Sequence, residues 1–182
     1  MKNSRFMQSG KSSIINRQRG ASLLEGIAYL GIAAIVILGA VSLLMGAFSS
    51  AQTNRASEEV VSIRTGVKKL YMGQSAAYST GSLNPQLITA KVFPTTLAVT
   101  EAGGVTNTWN GAVTVTGVNA NFTISYTAVP QDVCINMISG SNGWVSVAVN
   151  DGAENTAFPI TPKAATDACT STAGNKIVWT AL

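Results

Sequence analysis

"QRGASLLEGIAYLGIAAIVILGAVSLLMGAF" occupies residues Gln18–Phe48. Ile27–Phe48 is a run of 22 residues without a charge, long enough to cross the hydrocarbon core of a bilayer as a helix. Leu, Ile, Val and Phe hold eleven of those positions, which favours insertion by about 3–7 kcal/mol. One carboxylate, Glu25, stands at the N-terminal end of the run. At mid-bilayer it would cost about 2.5–3.5 kcal/mol, and less near an end, so the segment inserts with the charge aboard. Arg17 and Arg19 precede it and orient that end toward the cytoplasm, with everything after Phe48 outside.

Downstream, the helical signal continues. Ala56, Val60, Ile63, Val67, Leu70 and Gln74 recur at spacings of four and three, a narrow stripe on one helix face. Arg55, Glu58, Glu59, Arg64, Lys68 and Lys69 are assigned to the other faces. No proline occurs before Pro85, so one helix is expected from Ala21 to about Gln74, its second half docked on a globular body. A short helix is expected after Asn84 as N-cap, with Pro85 at its first position and Pro94 beyond its end. From Ala112 the period changes to two. "AVTVTG", "NFTISYTA", "VCINMI", "GWVSVAVN" and "KIVWTAL" read as strands. The expected fold class is α+β, a long N-terminal helix packed on an antiparallel sheet.

The formal net charge is +4, yet it does not describe the body. Lys2, Arg5, Lys11, Arg17 and Arg19 precede Ala21 with no acidic residue among them, and the remaining seven basic residues face eight acidic ones. No nucleic-acid partner follows from such a distribution. Histidine is absent, which removes Ser-His-Asp and Cys-His catalysis and the usual zinc sites. "SGKSS" at Ser9–Ser13 has Arg5 where a phosphate-binding loop needs glycine, and Asp151 and Glu154 lack the spaced ligand run of a calcium loop. No enzyme, metal or cofactor is expected. Cys134 and Cys169 are the only cysteines. Beyond a membrane the pair reads most simply as one disulfide, with two buried thiols as the alternative.

Glu25 has two readings. "SLLE", Ser22–Glu25, is a capping box, and a first-turn carboxylate suits the helix dipole. In context, however, basic residues precede Gly20, Gly20 precedes the apolar segment, and Glu25 is the fifth residue after the Gly20–Ala21 bond. This arrangement resembles the class III leader of type IV prepilins. The "RQRG" junction, Glu25, the uninterrupted apolar helix, its amphipathic continuation, the β-rich C-terminal part and the Cys134, Cys169 pair all match that family. The long leader, a cleaved residue other than Phe and the absence of helix prolines resemble the type IVb branch of enteric bacteria and conjugative plasmids. "TNTWNGAVTV" is similar to the Trp-Gly stretch entering the sheet in such pilins.

The resemblance implies the type IV pilin fold with a C-terminal disulfide loop. It divides the chain into a leader, 1–20, a membrane or filament-core half-helix, 21–50, and a globular domain, 51–182. It also implies cleavage after Gly20, N-methylation of Ala21, and a role for Glu25 in assembling identical subunits into a surface fibre for adhesion, aggregation or mating-cell contact. Its implied partners are copies of itself, the inner membrane before assembly, a prepilin peptidase and an assembly platform. An amine on Ala21 and the Glu25 carboxylate, placed in an apolar fibre core, each need an opposite charge, which a neighbouring subunit can supply; such a buried pair sets register more than it stabilises.

Gly26, Ala33, Ala40 and Ala47 recur every seven residues, with Gly39 and Gly46 alongside. They read as a close helix-packing stripe or as ordinary Gly and Ala abundance in a span. Two other functions fit parts of the pattern. One is a secreted binding protein with a signal peptide cut near Ala51, although the apolar core exceeds the usual signal-peptide length. The other is a pseudopilin of a secretion machine.

Overall fold

The structure is a computed structural model describing residues 23–73, 78–100, 102–172 and 174–182. Helix α1 spans Leu23–Leu70. The described residues 23–43 belong to one compact unit and those within Leu44–Leu182 to another.

In the first unit the helix is apolar on every face, and all its residues from Leu23 to Leu43 are exposed. Among the described residues it is the one helix long and apolar enough to cross a membrane.

In the second unit α1 buries Thr53, Ala56, Glu59, Val60, Ile63 and Val67. The expected stripe is therefore present from Ala56 to Val67 and shifted toward the N-terminus. Leu70 is exposed instead, because the helix ends there and Gly73 takes a left-handed φ of 86°, a conformation that stops helices cheaply. Gln74 lies outside the described residues.

Strand β1 (Gly81–Ser82) and helix α2 (Asn84–Thr89) follow, then β2 (Ala98–Val99), β3 (Val105–Thr106), β4 (Val113–Val118), β5 (Asn121–Val129), helix α3 (Gln131–Ser139), β6 (Ser146–Val149), helix α4 (Pro162–Ala168) and β7 (Asn175–Ala181). The main sheet has the order β1-β4-β5-β7-β6 and is antiparallel throughout; β2 and β3 pair separately. Alternation puts Val113 and Val115, Phe122, Ile124 and Tyr126, Ile177 and Trp179 into the core that receives Ile63 and Val67. Thr114, Thr116, Thr123, Ser125 and Thr180 occupy the intervening positions. Each fully buried aliphatic side chain contributes about 2 kcal/mol.

Two further expectations are corrected. "VCINMI" is not a strand but part of α3. Val133, Cys134, Met137 and Ile138 are its buried residues, a helical spacing that six residues cannot distinguish from alternation. Asn84 is not the N-cap of α2, a position held by Leu83. Its side chain instead donates to the Val113 carbonyl at 2.9 Å and accepts from the Val115 amide at 2.8 Å. It thereby satisfies the edge of β4 where β1 is too short to do so.

Cys134 and Cys169 form a disulfide between α3 and the C-cap of α4. The bridge spans 35 residues, and closing a loop of that length stabilises by about 4 kcal/mol in the chain-entropy model. Replacing both cysteines by serine should lower the stability of the body by about 2–4 kcal/mol, read as a shifted denaturation midpoint; an unchanged midpoint would contradict this.

Candidate assembly surface

Glu25 lies in the first turn of α1, and its only polar contact among the described residues is with Tyr29, whose hydroxyl donates to Oε1 at 3.4 Å. Four residues separate the pair, one helical turn, so both sit on one face. Around them Leu23, Leu24, Ile27 and Leu30 are all exposed. The carboxylate thus stands on a greasy surface with one weak neutral partner. Gly20 and Ala21, the expected cleavage and methylation positions, lie outside the described residues, as does Ser22 of the capping box.

Gly26, Gly39 and Gly46 have open space where a Cβ would stand, and Ala33, Ala40 and Ala47 are exposed. Nothing within the described chain packs on this stripe. Small side chains there leave the backbone open to close approach by another helix.

The body holds the other end of α1 through polar contacts that the helix pattern alone did not disclose. Ser49 donates to the Asp132 carboxylate on α3, and the indole Nε1 of Trp109 donates to Gln52 Oε1 at 3.1 Å. Trp109 is held in turn by Asn107, whose side-chain oxygen accepts from the amides of Trp109 and Gly111 while its amide donates to the Thr127 carbonyl at 2.9 Å. Gly111 is required there, because a Cβ would come within 1.9 Å of the Thr127 oxygen. The Trp-Asn-Gly stretch is thus a turn that leads into β4. Farther along α1, Arg64 donates to the Gly143 carbonyl and lies over the Trp144 ring, 4.6 Å from its centroid.

Glu59 departs from its expected outward face and is 4% exposed. The signal was available: it falls three residues after Ala56 and four before Ile63, inside the buried arc. Thr96 donates to its Oε1 at 2.5 Å, Arg55 pairs with it at 3.4 Å, and the Tyr126 hydroxyl donates to Oε2 at 3.5 Å. Arg55 also donates to the Thr96 carbonyl at 3.3 Å. A buried carboxylate with three partners ties the helix to the 94–99 segment and to the sheet.

A long N-terminal helix, bare and apolar at one end and docked on a disulfide-bearing antiparallel sheet at the other, defines the type IV pilin class. A family model described as PilS N terminal matches residues 50–182, and the chain belongs to that family. It is 28% identical over 192 residues to the major structural subunit of bundle-forming pilus of Escherichia coli O127:H6, covering 92% of this chain and 97% of that one. The same figures hold for the corresponding subunit of Escherichia coli O111:H-. In fold it matches the crystal structure of TcpA, a type IV pilin from Vibrio cholerae El Tor biotype, with a TM-score of 0.53 and 11% identity, covering 72% of this chain and 99% of that one.

The buried tyrosine makes a pH dependence. Burial pushes the Tyr126 hydroxyl well above the ordinary tyrosine value of 10.0, and the Glu59 charge and hydrogen bond push it further. Below pH 10 the phenol is protonated whether the chain is folded or not, and the full stability is present. As pH rises past 10 the unfolded chain sheds a proton that the folded body retains, and stability falls. Melting curves from pH 8 to 11.5 should therefore show a steeper alkaline loss for the native chain than for Tyr126→Phe; parallel curves would count against the assignment.

Proposed function

We propose that this chain is the major structural subunit of a type IVb pilus. It is made as an inner-membrane precursor, cut after Gly20 by a prepilin peptidase, methylated on Ala21, and polymerised on an assembly platform into a surface fibre of identical subunits. The fibre serves adhesion, aggregation or contact between mating cells. The role is structural and uses no cofactor. Its support is the family membership, the two bundle-forming pilus relatives, and one feature of the chain: the apolar part of α1, exposed on every face from Leu23 to Leu43, with a single carboxylate near its start.

The chemistry follows from that carboxylate. An apolar helix surface leaves water either for lipid or for other copies of itself. In lipid, Glu25 near the helix end reaches the interface. In a fibre core it needs a cation, and the amine created on Ala21 of an adjacent subunit has the required charge. Because desolvation offsets much of the attraction, the pair selects the stagger between subunits rather than adding greatly to cohesion. Gly26, Ala33, Gly39, Ala40, Gly46 and Ala47 would let the helices approach one another along that core.

Cleavage near Ala51, the secreted-protein alternative, would cut inside α1 and discard Ser49, which holds Asp132. Intact mass of the surface-exposed protein separates the readings. A product beginning at Ala21 and heavier by one methyl group is expected; a product beginning at Gln52, or one retaining the leader, would refute the proposal. Glu25→Ala should leave the membrane fraction of the protein unchanged and abolish sheared fibres, whereas normal fibre yield would remove Glu25 from the assembly mechanism.

A further inference from the structure

The body contains two Asn-Gly dipeptides, Asn110–Gly111 and Asn142–Gly143. Asparagine is a thermolabile residue, most of all before glycine, where no side chain hinders the glycine nitrogen from attacking the asparagine amide carbon. Both asparagines are exposed, so accessibility does not distinguish them. What distinguishes them is the nucleophile.

At the first dipeptide the Gly111 amide donates to Asn107 Oδ1 at 2.8 Å, and the Asn110 amide donates to the Asn107 carbonyl at 3.0 Å. Gly111 also abuts the Thr127 carbonyl so closely that a Cβ would lie 1.9 Å from its oxygen. Turning this nitrogen toward the Asn110 side chain would break a buried hydrogen bond and drive the chain into β5. At the second dipeptide the Gly143 amide donates no hydrogen bond among the described residues. Gly143 has φ +72°, and the Asn142 side chain makes only a 3.5 Å contact with the Gly140 carbonyl. Arg64 holds the Gly143 carbonyl, and its Nη1 and Nη2 lie 3.5 and 3.8 Å from the position of a Cβ on that residue. A guanidinium charge this close to Gly143 acts through space, favouring the deprotonated, attacking form of that residue's own amide nitrogen.

We propose that Asn142 is a site of spontaneous amide loss, with Arg64 as its positioning residue, while the Asn107 turn protects Asn110. Gly143 N gives its proton to water and bonds to the Asn142 side-chain carbonyl carbon. The Cγ–Nδ2 bond breaks as the leaving nitrogen takes a proton back from water, and ammonia departs, giving a cyclic imide. Water then opens the imide at either carbonyl, yielding aspartate or isoaspartate. The net reaction consumes one water and releases one ammonia, with no oxidant or reductant. Its product places a new negative charge in the loop that Arg64 clamps, and the isoaspartate form adds one carbon to the backbone there. The inference rests on the fold and stands whether or not the chain forms fibres.

Both dipeptides fall between Lys91 and Lys163 with no Lys or Arg between, so one tryptic peptide carries the reactive site and its control. Purified full-length protein is aged at neutral pH and the peptide is sequenced by mass spectrometry at intervals. Amide loss at Asn142 is expected to run several-fold faster than at Asn110 in the folded protein, and the two rates to converge in urea after reduction. Equal rates in the folded protein, or a faster Asn110, would overturn the proposal. Arg64→Gln should slow Asn142 and leave Asn110 slow, which also reports that the fold is intact. An unchanged or faster Asn142 in that variant removes Arg64 from the reaction.

Discussion

Ile63 and Val67 have no exposed surface, and they are set in one core with Phe122, Ile124, Ile177 and Trp179 of the sheet. Everything else in the body depends on that seam. It orients the helix about its own axis, and orientation decides which residues are buried, which clamp loops and which remain free. Once Ile63 faces the sheet, Glu59 must lie within the covered arc and Arg64 must emerge at its margin beside Trp144. A rotation by one residue would bury Arg64 and expose Val67, at a cost of several kcal/mol for an unpaired charge alone.

Two carboxylates on one helix show how environment assigns roles. Glu59 is enclosed and meets Thr96, Arg55 and Tyr126; its demands are met within the chain, and its effect is to join three segments. Glu25 is exposed, and among the described residues its one polar contact is Tyr29. The same chemistry is internal cement in one place and, in the other, an exposed charge on an apolar helix, to which the proposed function gives the setting of register between copies. Another polar hub of the body, Asn175, follows the first pattern: fully buried, it donates to the Val129 and Ser171 carbonyls and accepts from the Asn150 side chain.

Much of this was legible in the residues. The change from uniform apolarity to a single stripe near residue 50 announces a helix with two environments, because a helix greasy on every side finds no water-facing solution. Strict alternation in "AVTVTG", "NFTISYTA" and "KIVWTAL" marked β4, β5 and β7, since a sheet with one covered face accepts little else. The Thr161–Pro162 pair is a sound N-cap and first-turn signal for α4, legible in the sequence although no helix is expected there above; the Thr161 hydroxyl accepts from the Ala164 amide. "VCINMI" misled because it is too short for its period to be measured.

Sequence alone therefore determined the long helix, the alternating strands β4, β5 and β7, and the apolar segment with its lone carboxylate, since these follow from local periodicity and composition; it favoured a disulfide over two thiols, and the structure forms the bridge. Tertiary structure alone decided that Asn84 completes a strand edge, that Thr96 and Tyr126 are the groups that meet Glu59, and that the Gly143 amide donates no hydrogen bond among the described residues while the Gly111 amide does. Each of those depends on groups distant in the chain arriving at one point, and hydrogen bonding over such separations leaves no periodic trace in the order of residues.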